Sequence, residues 1–564
     1  MGGKYVIVGG VAGGASTAAR LRRLSGEDEI VMFERGPHVS FSNCCLPYHL
    51  GGLVPDAERL VLMTPEKFRK AYDIDARTNQ EVVAIDRAAK EVEVKNLATG
   101  ETYRESYDKL ILSPGAAPVV PPIPGIDRAN VFTVRNVVDI DKLNRFLQET
   151  NPDRVTVVGG GFIGIECVEN LVEAGRKVSL VEALPQVLGQ FDFEMVQVLH
   201  KELMDNGVDV HLSDRVVGFE EQAVVLESGT RIESGATILA IGVKPETALA
   251  EQAGLELGKT GAIKVNQNFL TNDPDVYAVG DAIEVYNALS QDYFRLPLAG
   301  PAQKQARSVA DHIHDRRVDS MGYIGSSVVK VFGYAAAATG LNEAALAKLN
   351  VEYDYVKILP KDRVGLMPGA EEVHFKLIFE KPTGRVLGAQ AIGRGYVTKR
   401  VDVVATAIKF GATIEQLRDL ELCYAPPFGT AKDVVNYAGY VASNLLHEAF
   451  RQVRVTEVRD LVERGEYILD VRERPEYDRG HVKGAVLIPL SELRDRMDEV
   501  PRDRPVYVHC RSGQRSYNAV MALQSKGYRN AFNVSGGFLE LCTYEYFNDR
   551  TQEREPIVSA YDFK

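Results

Sequence analysis

The chain has 564 residues, 45% hydrophobic and 26% charged, with a formal net charge of −12. This is the composition of an ordinary soluble globular protein of roughly three to five domains, and its acidity argues against a nucleic-acid partner. Six cysteines are too sparse for a disulfide scaffold, no uncharged apolar run is long enough to span a bilayer, and Met1-Gly2-Gly3-Lys4 is no signal peptide, so a reducing cytoplasm with no membrane contact is expected.

Tyr5-Val6-Ile7-Val8 is an apolar, β-branched run of the buried parallel-strand kind. It leads through Gly9-Gly10-Val11-Ala12-Gly13-Gly14 into a helix pattern from Ala15 to Arg23. A glycine turn between strand and helix lets a pyrophosphate approach the free N–H groups of the helix start. Gly9 and Gly14 hold the outer positions of the dinucleotide fingerprint, Val11 stands at its middle one, and Gly10, Ala12 and Gly13 complete the turn. The next strand, from Ile30 to Phe33, ends in Glu34 and Arg35, where a carboxylate can hold a ribose hydroxyl. A glycine-rich turn without a ligand is the alternative.

Ser40-Phe41-Ser42-Asn43-Cys44-Cys45-Leu46-Pro47-Tyr48 follows that strand. A thiol so near a nucleotide-bearing sheet edge can face a flavin ring, and a helix N-terminus or a cofactor can lower its pKa. Two-cysteine disulfide reductases place a second cysteine five residues on, where this chain has His49, so a redox-active Cys44 must work singly, with the substrate's sulfur as its partner. Cys44 and Cys45 read equally well as buried small apolar residues.

A second unit starts at Arg154. Val155 to Val158 is a strand, Gly159, Gly161 and Gly164 fit the fingerprint in full, a helix follows from Ile165 to Ala174, and the strand from Lys177 to Val181 ends in Glu182. Glu182 would bind a 2′-hydroxyl and repel a 2′-phosphate, and Ala183, Leu184 and Pro185 offer no cation to receive that phosphate, which favours NADH over NADPH. Two nucleotide folds imply two nucleotides, most economically FAD with a nicotinamide. Val276 to Val279 is a strand ending in Gly280-Asp281, whose carboxylate would hold a flavin ribityl hydroxyl or cap the following helix. Leu110 to Ala116, containing Ser113, Pro114 and Gly115, and Ile238 to Gly242 read as crossings between the nucleotide domains, and Pro301 completes the cofactor set. No metal site is expected.

Residues 444–454 read as a helical connector. Beyond it come Asp470-Val471-Arg472, His481 with Gly484-Ala485, and a strand from Val506 to His509 that ends at Cys510-Arg511-Ser512-Gly513-Gln514-Arg515. A cysteine on a loop curling onto a helix N-terminus sits among inward N–H groups that stabilise a thiolate or persulfide, and Arg511 and Arg515 add positive charge. Protein phosphatases use a similar but longer loop sized for phosphate. Cys167 reads as core, and Cys423 and Cys542 as structural.

The two glycine motifs, the Ser40-to-Tyr48 stretch, Gly280-Asp281 and Tyr424-Ala425-Pro426-Pro427-Phe428 together resemble the single-cysteine pyridine nucleotide–disulfide oxidoreductases, closest to the coenzyme A-disulfide reductases, over residues 1 to about 443. The C-terminal landmarks resemble a rhodanese domain. The resemblance implies an α/β chain with a discontinuous FAD domain (1–115 and 246–320), an NAD domain (116–245), an α+β interface domain (321–443), a linker (444–454) and a rhodanese domain (455–564). It implies a homodimer in which Tyr424 reaches the other subunit's Cys44. Ser40 and Asn43 would flank the reactive sulfur and the pantetheine arm, and Arg20, Arg23 and Lys67 would contact CoA. Leu366-Met367-Pro368-Gly369 departs from the family, which often has tyrosines before Pro-Gly, and Cys45 stands where the family has a small residue. The expected reaction is R–S–SH + NADH + H⁺ giving RSH, H₂S and NAD⁺, with CoA, glutathione, polysulfide or the rhodanese as sulfur carrier. CoA-disulfide reduction, NADH oxidase or peroxidase activity, and a redox-sensor role are the alternatives. Cys510 is expected on an exposed loop open to bulky donors, with Cys44 in a channel open only to small ones.

Overall fold

The structure, a computed structural model, describes residues 2–318 and 320–563. The chain divides into two compact units, residues 1–185 with 211–323, and residues 186–210 with 324–564. Among the described residues no helix is long and apolar enough to cross a membrane.

The first unit is built on two parallel sheets. In the first, Lys4–Val8 lies between Glu29–Glu34 and Lys109–Leu112, and Asp75–Thr78 and Val276–Ala278 form the edges. Val6, Ile7, Val31, Leu110 and Ile111 are buried, as a sheet covered on both faces requires. The helix Ala12–Leu24 returns from the end of the first strand and packs against Ala299–Ile313. The second sheet orders Lys177–Val181, Arg154–Val158, Ala236–Leu239 and Val131–Thr133 side by side, all parallel.

The crossings between these sheets differ from expectation. Leu110–Leu112 and Ile238–Leu239 are sheet strands, and the connections are Ala116–Pro118 and Val243–Pro245, which pair antiparallel as a two-stranded ribbon. A short apolar run reads alike in a buried strand and in a crossing, so the pattern alone could not separate them.

The second unit holds a five-stranded antiparallel sheet in the order Ser326–Val331, Tyr334–Gly340, Val386–Gly393, Val373–Glu380, Tyr353–Ile358. The helices Val397–Lys409, Ile414–Arg418 and Val434–Leu446 belong with it. The helix Phe193–Asp205, within the span expected to bind the nicotinamide, groups here instead. It is tied to the antiparallel sheet by Lys376, which is fully buried and meets Asp192 at 2.8 Å together with Glu194 and Glu343.

Gln452–Val453, Ala531–Val534, Val506–His509, Tyr467–Asp470 and Val486–Leu487 form a parallel sheet in that order at the C-terminal end. The expected connector is not a free tether. The helix Val434–Leu446 runs into it, Phe450 is buried with its ring 5.0 Å from Tyr517, and Gln452 already belongs to the new sheet. Glu540, on the helix Gly537–Thr551, is buried against Lys357 and His374 of the antiparallel sheet.

Candidate functional site

The two glycine turns are built alike. Gly9 and Gly159 lie at φ +96° and +108°, and a Cβ there would stand 2.0 Å and 2.4 Å from the carbonyl oxygens of Ser113 and Ala240. A Cβ on Gly14 or Gly164 would come to 1.8 Å or 1.9 Å from the carbonyl oxygen of Gly9 or Gly159. Only glycine lets strand and helix close this far. The middle position makes no such demand. Gly161 has φ −76° and open space where its Cβ would be, which explains how Val11 serves as N-cap of the first nucleotide helix.

Each turn holds its own acid. Glu34 accepts from the N–H groups of Gly10 and Gly36, both at 2.9 Å, and Glu182 accepts from those of Gly160 at 2.7 Å and Leu184 at 2.9 Å. These bonds fix each carboxylate at the carboxyl edge of its sheet, where open α/β folds bind ligands. In the first sheet a cavity of about 430 Å³ opens there, lined by Gly9, Glu34, Asn43, Ser113, Pro114 and Asp281 among others. Gly115 lines it as well, while Arg35 is engaged by Glu246 at 2.6 Å. Gly13 packs so closely on Ser113 that a Cβ would stand 2.6 Å from its Oγ. Gly242, at φ +111°, accepts the Val119 N–H beside the second turn.

Asp281 does not cap a long helix. It lies in the one-turn segment Gly280–Ala282, whereas the next helix, with Pro301 in its first turn, begins at Ala299. Burial raises its carboxyl above the ordinary range. A polar carboxylate aimed into the cavity, with glycine-cleared amides opposite, fits a dinucleotide.

Cys44 lies in the one-turn segment Asn43–Cys45, which runs into Leu46–Leu50. Ser40 adopts φ +49° to enter this stretch, its N–H bonded to the Gly10 carbonyl at 2.7 Å, so the thiol's loop is pinned to the glycine turn. Cys44 and Cys45 are free thiols, and neither is buried, which removes the packed-core reading. His49, at the position of the missing second cysteine, is buried with Nδ1 2.5 Å from the Val54 carbonyl.

Cys44 is exposed, yet the surrounding protein still desolvates its thiol. That desolvation, with the Glu166 carboxylate next, pushes it up, so the chain's own groups do not lower it as the short helix had suggested. Glu166 was not recognised in the sequence. It lies on Phe162–Glu173, its Oε1 3.5 Å from the Tyr48 hydroxyl, and burial pushes its carboxyl up to about 7, against the lowering by Tyr48. The signal was an acid two residues beyond Gly164, on a helix turn otherwise left apolar for a nucleotide.

The basic residues divide. Arg20 meets Asp311 at 2.5 Å, and Arg22 donates to the carbonyls of Ser25, Asp28, Tyr72 and Asp73, so these serve the fold. Arg23 stacks at 5.9 Å over the exposed side of Tyr72, and Lys67 is exposed on Pro65–Tyr72.

In the second unit, Tyr424, Phe428 and Leu366 are exposed, Leu366 at 93%, on two loops that the Val364 N–H ties together through the Gly429 carbonyl. Cys423 is exposed beside them rather than packed as a structural residue, whereas Cys167 and Cys542 are buried.

Cys510 closes the strand Val506–His509. Its Sγ accepts from the Gly513 N–H at 3.2 Å and from Ser516 Oγ at 3.5 Å. The start of Gly537–Thr551 donates the N–H groups of Phe538 and Leu539 to the carbonyls of Cys510 and Arg511, and a Cβ on Gly537 would stand 2.6 Å from the Cys510 carbonyl oxygen. Beneath the loop, Arg472 pairs with Asp470 at 2.7 Å, and His481 stacks on Tyr477 at 3.9 Å, so these landmarks hold the scaffold. Two expectations change. Cys510 is only 1% exposed, at the base of a loop whose Arg511 to Gly513 are half-buried and whose Gln514 is exposed. Arg515 pairs with Glu476 at 2.6 Å and Arg511 approaches Glu372 at 3.9 Å, so both cations already face carboxylates.

Residues 3–306 match the pyridine nucleotide-disulphide oxidoreductase family, 326–434 the dimerisation domain of that family and 454–543 the rhodanese-like domain. A coenzyme A disulfide reductase from Staphylococcus haemolyticus is 34% identical over 444 residues, 78% of this chain and 100% of its own length. The structure of reduced Bacillus anthracis CoADR-RHD is 48% identical with a TM-score of 0.94, covering 96% of this chain and 98% of its own. That of an NAD-dependent persulfide reductase from A. fulgidus is 34% identical with a TM-score of 0.91, covering 96% and 99%. The family implies FAD and NAD(H), which the acid-bearing glycine turns fit. With its paired nucleotide folds and these matches, the chain belongs to the pyridine nucleotide-disulphide oxidoreductases and carries a rhodanese-like domain.

Proposed function

We propose that the protein is an NADH-dependent reductase of sulfane sulfur, acting on CoA persulfide or a similar small persulfide and releasing a thiol and H₂S. The observation that carries this is one chain holding two unpaired sulfur centres of different design, Cys44 beside a nucleotide cavity and Cys510 in a loop sized for sulfur.

FAD and NAD(H) supply the electron pair when bound. Glu34, Ser113 and Asp281 would hold the first nucleotide and Glu182 the second, with Glu182 selecting the unphosphorylated ribose. The Cys44 thiolate attacks the outer sulfur of R–S–SH, the S–S bond breaks, RSH departs with a proton, and the outer sulfur stays on Cys44. Two electrons and two protons then release it as H₂S and restore the thiolate. Glu166, titrating near neutrality with its Oε1 accepting from the Tyr48 hydroxyl, can take up or release a proton close to this exchange. Asn43 lines the cavity next to the thiol, and Arg23 and Lys67 are the uncommitted cations for a CoA nucleotide. The dimerisation-domain match and the exposed Leu366–Tyr424–Phe428 face support a homodimer in which Tyr424 completes the partner's Cys44 site.

CoA-disulfide reduction is the second reading, favoured by the name of the staphylococcal relative. Leu366 and Met367 weigh against it, since they offer no hydroxyl to a leaving thiolate. NADH consumption with sulfide release, measured across CoA persulfide, CoA disulfide, polysulfide and oxygen, separates the readings. Turnover on CoA disulfide or oxygen without turnover on persulfide would sink the proposal.

A further inference from the structure

The loop that carries Cys510 has two cations, and each is met by a carboxylate from outside the loop. Arg515 stands in the first turn of the helix Gln514–Ser525, between Gly513, whose N–H reaches the Cys510 sulfur at 3.2 Å, and Ser516, whose hydroxyl reaches it at 3.5 Å. Its guanidinium is forked onto Glu476 of the helix Arg474–Arg479, at 2.7 Å and 2.6 Å to the two carboxylate oxygens. A two-bond fork is the strong arrangement for these groups, and the Arg515 bonds hold the Glu476 carboxyl below its ordinary range, so the pair is ionised at neutral pH. Arg511 follows Cys510 directly, and its guanidinium lies 3.9 Å from Glu372, next to the strand Val373–Glu380 of the antiparallel sheet.

The charges beneath the loop are balanced as well. Arg472 pairs with Asp470 at 2.7 Å, and Asp470 also lies 3.6 Å from His509 Nε2, whose ring burial keeps neutral. What bonds the sulfur itself is neutral, the Gly513 amide and the Ser516 hydroxyl. A transferring sulfur therefore meets hydrogen-bond donors but no uncommitted cation of the loop.

That balance bears on the donor. In the transfer the Cys510 thiolate attacks the donor's outer sulfur. One S–S bond forms as another breaks, and the leaving group keeps the bonding pair, so neither oxidant nor reductant is consumed. A small persulfide brings one negative charge on its sulfurs and leaves as a thiolate. Thiosulfate brings two and leaves as sulfite, and its sulfonate oxygens call for free guanidinium groups.

We infer that Glu372 and Glu476 set the donor specificity of the Cys510 loop, pairing with Arg511 and Arg515 so that singly charged persulfides are favoured over dianionic thiosulfate. Glu372 gives the dimerisation domain a part in that choice. The inference rests on the reading of Cys510 as the sulfane-sulfur carrier.

The test is Glu372→Gln and Glu476→Gln, separately, in the full chain. Glutamine keeps the size and an acceptor oxygen and removes the charge. The first readout needs no sulfur transfer. Cys510 is alkylated at low salt with iodoacetate, an anion, and with iodoacetamide, its neutral analogue, and followed by peptide mass spectrometry. One thiolate attacks both reagents, so the ratio of the two rates reports the charge around the sulfur. It should rise about three- to fivefold in each variant and fall back at high salt. The second readout is sulfur transfer to cyanide from thiosulfate and from methanethiosulfonate, which carries one charge fewer. The kcat/KM ratio of thiosulfate to methanethiosulfonate should rise by at least the same factor, mainly through a lower KM for thiosulfate. Glu499→Gln removes a carboxylate paired with Arg496 rather than with the loop and should leave both ratios as in the wild type. Cys542 is fully buried and stays unmodified in a folded variant. Should Glu476→Gln fail that check, Glu372→Gln alone decides. Unchanged alkylation ratios in the folded loop variants would overturn the inference, as would an unchanged donor ratio in variants that transfer sulfur. An equal rise in Glu499→Gln would also overturn it, by marking an effect of net charge alone. A raised alkylation ratio in a protein that transfers sulfur from neither donor would uphold the charge pairing and refute Cys510 as a carrier.

Discussion

Substituting Glu540 by Gln removes one charge from a place where no solvent can replace it. Glu540 is fully buried on the helix Gly537–Thr551, Lys357 beside it is buried to within 4% of complete, and His374 Nδ1 lies 2.9 Å from the second carboxylate oxygen. Burial alone would raise this carboxyl, but Lys357 outweighs it, with help from His374, and holds it down at about 2. Without the carboxylate, Lys357 keeps the Glu194 backbone carbonyl at 3.0 Å, with the Glu194 carboxylate, itself held by Lys376, as a more distant charge neighbour. Breaking a buried pair from one side costs about 3–5 kcal/mol. The Gln side-chain carbonyl still accepts one hydrogen bond, so the lower end, about 3 kcal/mol, is expected. At a urea dependence of roughly 3 kcal/mol per molar, the midpoint should drop by about 1 M. The chain has no tryptophan, so the transition is best followed by circular dichroism together with loss of thiosulfate–cyanide sulfur transfer. Glu540→Gln combined with Lys357→Met removes both charges and should recover part of the loss, since the uncompensated ammonium is what costs. A single-variant shift below about 0.3 M, or a double variant equal to the sum of the singles, would refute the reasoning. The pH dependence follows by sign. A depressed carboxyl stabilises the fold above its ordinary value of 4.5, and that stability drains away as pH falls from there toward about 2.

Cys44→Ser should abolish NADH-dependent reduction of every sulfur substrate while thiosulfate–cyanide transfer by Cys510 persists; continued reduction would move the chemistry to Cys45 or another group. NADH should be preferred over NADPH by at least about tenfold, or about 1.4 kcal/mol, and Glu182→Ala should narrow that ratio; equal kcat/KM for the two nucleotides in the wild type would show that the carboxylate does not read the ribose. Glu166→Gln removes a negative neighbour that pushes Cys44 up, so Cys44 should react with iodoacetamide about two- to fivefold faster at pH 8; an unchanged or slower rate would exclude that coupling. Because the Glu166 carboxyl is raised to about 7, its protonated form favours the fold below 4.5 and that contribution is lost as pH rises from 4.5 through about 7, a slope the Gln variant should lack.

Much of this molecule is local, and the local parts were legible. Tyr5–Val8 and Val155–Val158 are apolar and β-branched because both faces of their sheets are covered, and the glycines after them follow from clearances under 2.5 Å at Gly9, Gly14, Gly159 and Gly164. The same geometry explains what looked like a defect, since Val11 sits where the backbone needs no glycine. Glu34 and Glu182 are legible for a related reason: each is fixed by amides of the turn beside it, within a short stretch of chain. The crossings were misplaced because Leu110–Leu112 and Ala116–Pro118 differ in partners rather than in pattern.

What escaped the sequence lies between segments far apart in the chain. Arg511 and Arg515 read as positive charge on a sulfur loop, but their effect depends on Glu372 and Glu476, 139 and 39 residues away, which no spacing rule connects to them. Arg20 read as a CoA contact until Asp311 took it. Cys510 read as exposed because a loop between a strand and a helix is ordinarily open, whereas its side chain is 1% exposed, with Gly513 and Ser516 on the sulfur and the start of Gly537–Thr551 on its backbone. The loop residues around it stay partly open, Arg511, Ser512, Gly513 and Arg515 being half-buried and Gln514 exposed. The two cysteines are told apart by their surroundings: Cys44 stands beside a titrating carboxylate and a nucleotide cavity suited to electron transfer, and Cys510 among neutral donors suited to holding a sulfur atom until it is passed on.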